Sequence, residues 1–209
     1  MSFRPYIVGI SGGSASGKSS FLAEIKRRLP EKSVCIVSQD NYYVAKELQH
    51  IDENGKINFD LPTSINRKAF YEDMLRLMRN EPVQISEYTF NNEERVPLTI
   101  TMQPAPIIIL EGLFIFHYDE IRQVLDLSIY IDALDEVKLR RRLKRDAEER
   151  GYPESEVLYQ WHNHVLPSYY KYLRPYREDA DIIVTNNKSY EKGLKVILDH
   201  LLKIAGDTQ

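Results

Sequence analysis

Ten consecutive residues, Ser11 to Ser20, read SGGSASGKSS and carry a single charge, on Lys18. Gly12, Gly17, Lys18 and Ser19 fit G-x-x-x-x-G-K-[ST], a spacing in which each residue type has its own physical reason. Glycines let the backbone turn so tightly that several N–H groups point into one concavity, and the positive end of a following helix adds to it. The lysine reaches the β- and γ-phosphates, and the hydroxyl after it ligates Mg²⁺. Gly12, Gly13, Ser14, Ala15, Ser16, Gly17, Lys18, Ser19 and Ser20 are therefore expected to cradle the phosphates of a nucleoside triphosphate. The competing reading is a flexible Gly/Ser turn with an accidental lysine. The flanks favour the cradle, because an apolar run, Tyr6 to Ile10, precedes the loop and a helical pattern follows it.

Two carboxylates stand in a comparable position. VSQDNYY puts Asp40 just past a second apolar run, and PIIILEGLF puts Glu111 directly after a third. Open parallel sheets bind ligands beyond the carboxyl ends of their strands. Asp40 is placed to accept the proton of an attacking hydroxyl, and Glu111 to order Mg²⁺ with Ser19, Asp40 being a further oxygen ligand. Asp40 also reads as a helix cap or turn residue, whereas burying Glu111 without such a task would be costly. The run VKLRRRLKRDAEERG gathers Arg140, Arg141, Arg142, Lys144, Arg145 and Arg150 around Val137, Leu139 and Leu143. Such a run is ordinarily a solvated helix face paired with its acidic neighbours, here Asp146, Glu148 and Glu149. It also fits an RNA-binding patch, or a mobile lid in which Arg142 and Arg145, one turn apart, point at one phosphate.

These residues need a frame. Apolar runs at Tyr6 to Ile10, Val34 to Val37, Ile107 to Leu110, Leu127 to Ile131 and Ile182 to Val184 are short enough for strands buried on both faces. Between them, helical spacing runs through Ser19 to Leu29, Arg67 to Arg79, Asp135 to Arg150, Glu154 to Leu173 and Tyr190 to Ile204. Pro167 is expected to end or kink the fourth of these. Strands alternating with helices imply a parallel sheet covered on both sides. Ile57 to Phe59 and Val83 to Ile100 depart from the pattern with short polar alternations, so a small antiparallel excursion at about 55–100 is expected, a common seat for substrate. With no repeat or long linker, residues 1–209 read as one domain.

Composition limits the classes further. At 43% hydrophobic and 28% charged, the 209 residues suit a soluble globular protein with one sizeable core. A net charge of -3 argues against a surface built throughout for nucleic acid. Cys35 is the single cysteine and lies in an apolar run, so no intrachain disulfide forms and a reducing compartment is expected. The N-terminal apolar run is too short for a signal peptide, and Glu111 breaks the strongest later one, so no membrane partner and a cytoplasmic location are expected.

SGGSASGKSS, SQDNYY, NFDLP, EYTF, LEGLF, RRLKRDAEERG, the glutamine of LYQW and ADIIV, in that order, resemble the uridine-cytidine kinases within the uridine kinase and phosphoribulokinase group. The resemblance covers nearly the whole chain. It implies an α/β, three-layer P-loop NTPase fold with a central parallel sheet of about five strands, an antiparallel substrate-binding excursion and a helical lid at about 140–155. It implies ATP and Mg²⁺ as cofactors, transfer of the γ-phosphate to the 5′-hydroxyl of a ribonucleoside, and a homo-oligomer. On the family pattern Asp40 is the general base, Asp60 holds the ribose hydroxyls, and Arg142 is a lid arginine that also reaches the sugar. Arg145 and Arg150 gather around the phosphates, Gln160 lies on the sugar side, Tyr43 or Tyr42 lines the acceptor site, and Tyr88 contacts the base.

Two positions leave that pattern. Where the family reads Y-D-F-x-x-H this chain has YTFNNE, putting Glu93 at the histidine position, and where it reads E-R-G-R-D this chain has ERGYP, putting Tyr152 at an arginine. A carboxylate cannot donate a hydrogen bond unless protonated. Either the base is held differently or the acceptor is another hydroxylated molecule, such as a sugar phosphate, a pantothenate-like compound or a modified nucleoside; the bland alternative is that the Glu93 carboxylate, beside Glu94, points outward. A nucleotide-dependent RNA- or protein-binding module is the alternative from a different class. A switch GTPase is disfavoured, because no N-K-x-D occurs and Asn187-Lys188 is followed by Ser and Tyr.

Overall fold

The computed structural model describes residues 4–89 and 96–206. In chain order the strands are β1 (Tyr6–Ser11), β2 (Val34–Ser38), β3 (His50–Ile51), β4 (Ile57–Asn58), β5 (Val83–Ser86), β6 (Thr99–Met102), β7 (Ile107–Glu111), β8 (Leu127–Asp132) and β9 (Ile182–Thr185). The α-helices are α1 (Lys18–Arg28), α2 (Arg67–Met78), α3 (Asp119–Arg122), α4 (Asp135–Arg150), α5 (Glu154–Gln160), α6 (Leu166–Ser168) and α7 (Glu191–Gly206).

Five strands form one sheet in the order β2-β7-β1-β8-β9, every neighbouring pair parallel. Side chains alternate across its faces. Ile7, Ile108, Leu110 and Tyr130 pack with Phe70, Met74 and Leu77 of α2. Val8, Ile10, Ile109 and Ile131 pack on the opposite face with Phe21 and Ile25 of α1 and Leu194, Ile197 and Leu201 of α7. Helices on both faces are why the central strands read as unbroken apolar runs, giving the three layers expected. The outer strands β2 and β9 are less buried than expected, since an edge position leaves part of each strand open.

Register then fixes the site. Glu111 is paired with both Ile10 and Ser38, so β1, β2 and β7 end level with one another. The loops carrying Gly12 to Gly17, Asp40 and Glu111 consequently leave the same edge of the sheet.

Two expectations change. Helical backbone continues from α5 through Pro167, because wide π turns at Trp161–Val165 and Tyr169–Leu173 interrupt the α spacing on either side of α6. In the first, the Leu166 N–H donates to the Trp161 carbonyl, one residue further back than in an α-helix, and this loosened turn accommodates the proline ring. The antiparallel excursion is two separate ribbons, β3–β4 and β5–β6, and the first begins at His50, ahead of the expected boundary.

Candidate active site

The β1–α1 loop has the curvature its sequence predicts. Gly12 and Gly17 hold φ values of 150° and 106°, and a methyl group at either would come within 2.2 Å of a neighbour, the Ile131 carbonyl oxygen and Asn186 Nδ2 respectively. Only glycine fits these two places. Asn186 Nδ2 donates to the Ser16 carbonyl at 2.8 Å, and Arg141 Nη2 to the Asn186 carbonyl at 2.9 Å, which strap the loop to the end of β9. Lys18 Nζ turns into the loop and donates to the carbonyls of Gly12 and Gly13 at 2.9 and 3.2 Å. Burial pushes its ammonium down, opposed by Glu111 and Asp40. Ser16 Oγ is buried with no hydrogen-bond partner among the described residues, and Ser19 and Ser20 are exposed at the start of α1. A curled backbone, a buried ammonium and an orphaned hydroxyl fit a polyphosphate.

Asp40 and Glu111 belong to one carboxylate pair. Ser38 Oγ donates to Glu111 Oε2 at 3.1 Å and accepts from the Asp40 N–H at 3.4 Å, while Gln39 Oε1 accepts from the Phe114 N–H at 2.9 Å. The two strand ends are thereby tied together. Burial and the neighbouring Asp40 push the Glu111 carboxyl up to about 7, against the pull of Lys18 and the Ser38 hydroxyl. Among the described residues no cluster of three or more His, Cys, Asp or Glu could hold a metal. Two carboxylates beside a phosphate site nevertheless suit Mg²⁺, which keeps several waters and takes much of its shell from phosphate.

The basic run is not the solvated face that charge patterning alone suggests. Lys138 is 2% exposed, its Nζ 2.7 Å from Asp135 Oδ1 and 3.5 Å from the centre of the Tyr169 ring, against Gly13 of the loop. Arg142 donates to Ser14 Oγ at 2.9 Å and to Gln160 Oε1 at 2.8 Å. Asp146, expected on the surface, is fully buried: Arg145 Nε meets one of its oxygens at 2.8 Å and Arg142 Nε lies 3.2 Å from the other. Arg142 and Arg145 thus converge on one carboxylate. Arg140 and Lys144 are exposed, and the side chain of Arg150 lies outside the described residues.

Aromatic side chains gather beyond Asp40. The Tyr43 ring lies 5.1 Å from that of Tyr88 and 6.0 Å from that of Phe59, and the Tyr88 N–H donates to Asn41 Oδ1 at 3.3 Å. Burial, then Tyr152 and Glu47, raise the Tyr88 hydroxyl, which sets Tyr152 near this cluster. Tyr42 is buried in the core beneath it, its hydroxyl donating to Asp73 at 3.0 Å. Asp60 is half-buried next to Phe59, with its N–H on Asn58 Oδ1 at 2.9 Å. Glu93 lies outside the described residues. Sequence reasoning missed Lys138 and Ser38, placed Arg141 only in the basic run, and marked Thr185 to Asn187 for adenine contacts rather than Asn186 as a strap on the loop. Lys138 alone left a signal, standing four residues before Arg142 and so on the same helix face.

A glycine-cradled lysine between the central parallel strand and its helix, flanked by carboxylates from two neighbouring strand ends, makes this a P-loop nucleotide-binding protein. The class narrows on comparison with known proteins. Residues 7–191 match the model of the phosphoribulokinase / uridine kinase family, and the chain belongs to that family. It is 36% identical over 200 residues to a uridine kinase of Borreliella burgdorferi, covering 95% of each chain, and 35% identical over 186 residues to one of Leuconostoc citreum, covering 88% and 89%. Among solved structures, the phosphoribulokinase from Rhodobacter spheroides shares the fold with a TM-score of 0.63 at 14% identity, over 88% of this chain and 71% of that one. D-glycerate 3-kinase from Cryptococcus neoformans does so with a TM-score of 0.54 at 16% identity, over 79% and 78%. Among the described residues no helix is long and apolar enough to cross a membrane.

Proposed function

We propose that the chain is an ATP- and Mg²⁺-dependent kinase acting on the 5′-hydroxyl of a ribonucleoside, with uridine and cytidine as acceptors. The observation that carries the reading is the convergence of Asp40, Glu111 and the phosphate-loop Lys18 at one sheet edge, where Asp40 acts on the charge of both Glu111 and Lys18, in a chain of this family.

Transfer of a phosphoryl group demands positioning and charge neutralisation more than covalent chemistry. The loop N–H groups and Lys18 hold the donor phosphates, Lys18 exchanging the carbonyls of Gly12 and Gly13 for phosphate oxygens. Mg²⁺ would supply charge neutralisation there, held by Glu111, Ser19 and Asp40 directly or through waters. Asp40 takes the proton of the attacking hydroxyl. Arg142 and Arg145, with Arg150, neutralise the transferring group as parts of a lid. Asp60 and Gln160 hold the ribose, and Tyr43, Tyr88 and Tyr152 line the base, the family pattern assigning Glu93 to the same site. We further propose a cytoplasmic homo-oligomer, in keeping with the buried Cys35 thiol, which burial pushes up to about 11 and keeps unreactive; sedimentation velocity checks the assembly.

The test is ADP release against a panel of nucleosides and other hydroxylated metabolites. Uridine and cytidine should stimulate it, and Asp40→Asn should lower turnover by about two orders of magnitude or more while leaving ATP-analogue affinity nearly intact. Unchanged turnover removes Asp40 from the mechanism. Stimulation by some other compound alone rejects the pyrimidine nucleosides and makes Tyr152 and Glu93 the residues to explain. Salt-dependent RNA binding without acceptor-stimulated ADP release rejects the kinase.

A further inference from the structure

The β3–β4 ribbon meets the helix after α4 at one carboxylate. Asp52 Oδ2 accepts from the Tyr159 hydroxyl at 2.6 Å and from His164 Nε2 at 2.7 Å. Its Oδ1 accepts from the backbone N–H groups of Asn54 at 2.9 Å and Lys56 at 2.8 Å. Asn54 Nδ2 adds a bond to the same tyrosine hydroxyl at 2.8 Å. One oxygen therefore shapes the ribbon's own turn, and the other holds the ribbon to α5 and the π turn beyond it. His164 is 2% exposed, and burying its ring polar group is tolerable because the carboxylate satisfies it. The Tyr159 hydroxyl, followed by weaker contributions from Lys56, His164 and Asn54, keeps the Asp52 carboxyl below the usual carboxylate range.

Both sides of this junction lead into the site. On the ribbon side, Asn58 Oδ1 ends β4 by accepting from the N–H of Asp60. On the helix side, Gln160 is the next residue after Tyr159 and accepts from Arg142, which in turn donates to Ser14 of the phosphate loop. Asp60 belongs to the acceptor seat and Ser14 to the donor cradle. The path between them runs along the ribbon backbone to Asp52, crosses to the helix at its bonds with Tyr159 and His164, and continues through the chain neighbour Gln160 to Arg142.

We infer that Asp52 is a positioning residue that couples the two substrate sites. Closed on Tyr159 and His164, it holds the ribbon against α5, and α5 holds Gln160 and, through it, Arg142 over the loop. Ordering either site then lowers the cost of ordering the other, so each substrate tightens binding of its partner by the same factor. The inference rests on the nucleoside kinase reading above.

The experiment is calorimetric titration of uridine into wild type, Asp52→Asn and Tyr159→Phe, each with and without a saturating non-hydrolysable ATP analogue and Mg²⁺. In wild type the analogue should tighten uridine binding by about fivefold or more, the range of ordinary site-to-site coupling. In both variants that ratio should fall toward one, while the affinity of each ligand measured alone stays within about twofold. A structural role without coupling would weaken one ligand alone or lower thermal stability and leave the ratio at the wild-type value, and that result overturns the inference. If wild type neither binds nor phosphorylates uridine, the kinase reading falls and takes the coupling with it. If wild type phosphorylates uridine and the three proteins share one ratio, the coupling alone falls.

Discussion

Replacing Asp146 by alanine isolates the energetics of the basic helix. The carboxylate is fully buried and serves Arg142 and Arg145, whose side chains are 7% and 31% exposed. Once it is gone, the Arg142 guanidinium is a buried charge without its counter-ion, a loss worth about 3–5 kcal/mol. Arg145 can turn to water, so its share is close to that of a surface pair, about 0.2–1 kcal/mol. The sum is about 3–6 kcal/mol, and at about 2–4 °C per kcal/mol for a chain of this size the melting temperature should fall by roughly 6–24 °C. The cause is an orphaned cation, which makes two rescues specific. Arg142→Met in the Asp146→Ala background removes the orphan, and the double variant should melt above the single one. A saturating ATP analogue brings negative charge to the loop where Arg142 already touches Ser14, so it should raise the melting temperature of Asp146→Ala more than that of wild type. Differential scanning fluorimetry of the three proteins, with and without analogue, reads all of this. A drop below about 2 °C, or a double variant no more stable than Asp146→Ala, would refute the buried-pair argument.

Two further variants probe the same edge of the sheet. Lys138→Met keeps the volume and removes a buried cation; losing its ring contact, worth about 2 kcal/mol when desolvated, is offset by no longer burying a charge. Melting should move by less than about 4 °C while the dissociation constant for an ATP analogue rises about tenfold, since a charge facing the loop is lost; unaltered affinity by titration counts against the role. Glu111 gives a pH signature in EDTA: its folded pKa of about 7 lies above the ordinary 4.5. The native state thus keeps a proton that the unfolded chain has already released. Stability should therefore fall as pH rises between those values, by on the order of 3 kcal/mol, and Glu111→Gln should flatten the slope. Parallel melting curves for the two proteins between pH 5 and 8 would show that Glu111 is not the source.

The sheet was legible because its physics is local. A strand covered on both faces is a run such as Ile107–Leu110, with no polar residue to blur it, and β7 begins and ends within a residue of that run. Helix α4 matches its expected span, and Gly151, at φ 67°, supplies the left-handed stop. The expectation that a helix ends at Pro167 assumes α spacing throughout. Trp161, Val165, Tyr169 and Leu173 are buried along that helix, and their packing favours continuing with widened turns over breaking. Of the β3–β4 ribbon only the Ile57 side was readable, since two-residue strands have no period and its anchor, Asp52 to His164, spans 112 positions.

The same distinction divides the site. Loop glycines and strand-end carboxylates announce themselves because motif and strand terminus are adjacent in sequence. The inward charges of α4 look like surface charges, since a pattern of basic and acidic residues does not say which face is covered. One feature separates them on physical grounds. Lys138, Arg142 and Asp146 stand four residues apart in one stripe, the place where an amphipathic helix carries its apolar side, and all three are buried. Two cations followed by an anion in a buried stripe leave positive charge that needs compensation. Asp135 and Asp146 supply part of it, and the unbalanced side of Lys138 and Arg142 faces Gly13 and Ser14. A stripe that buries more positive than negative charge against a glycine-rich loop fits a protein whose electrostatics are completed by a polyphosphate ligand.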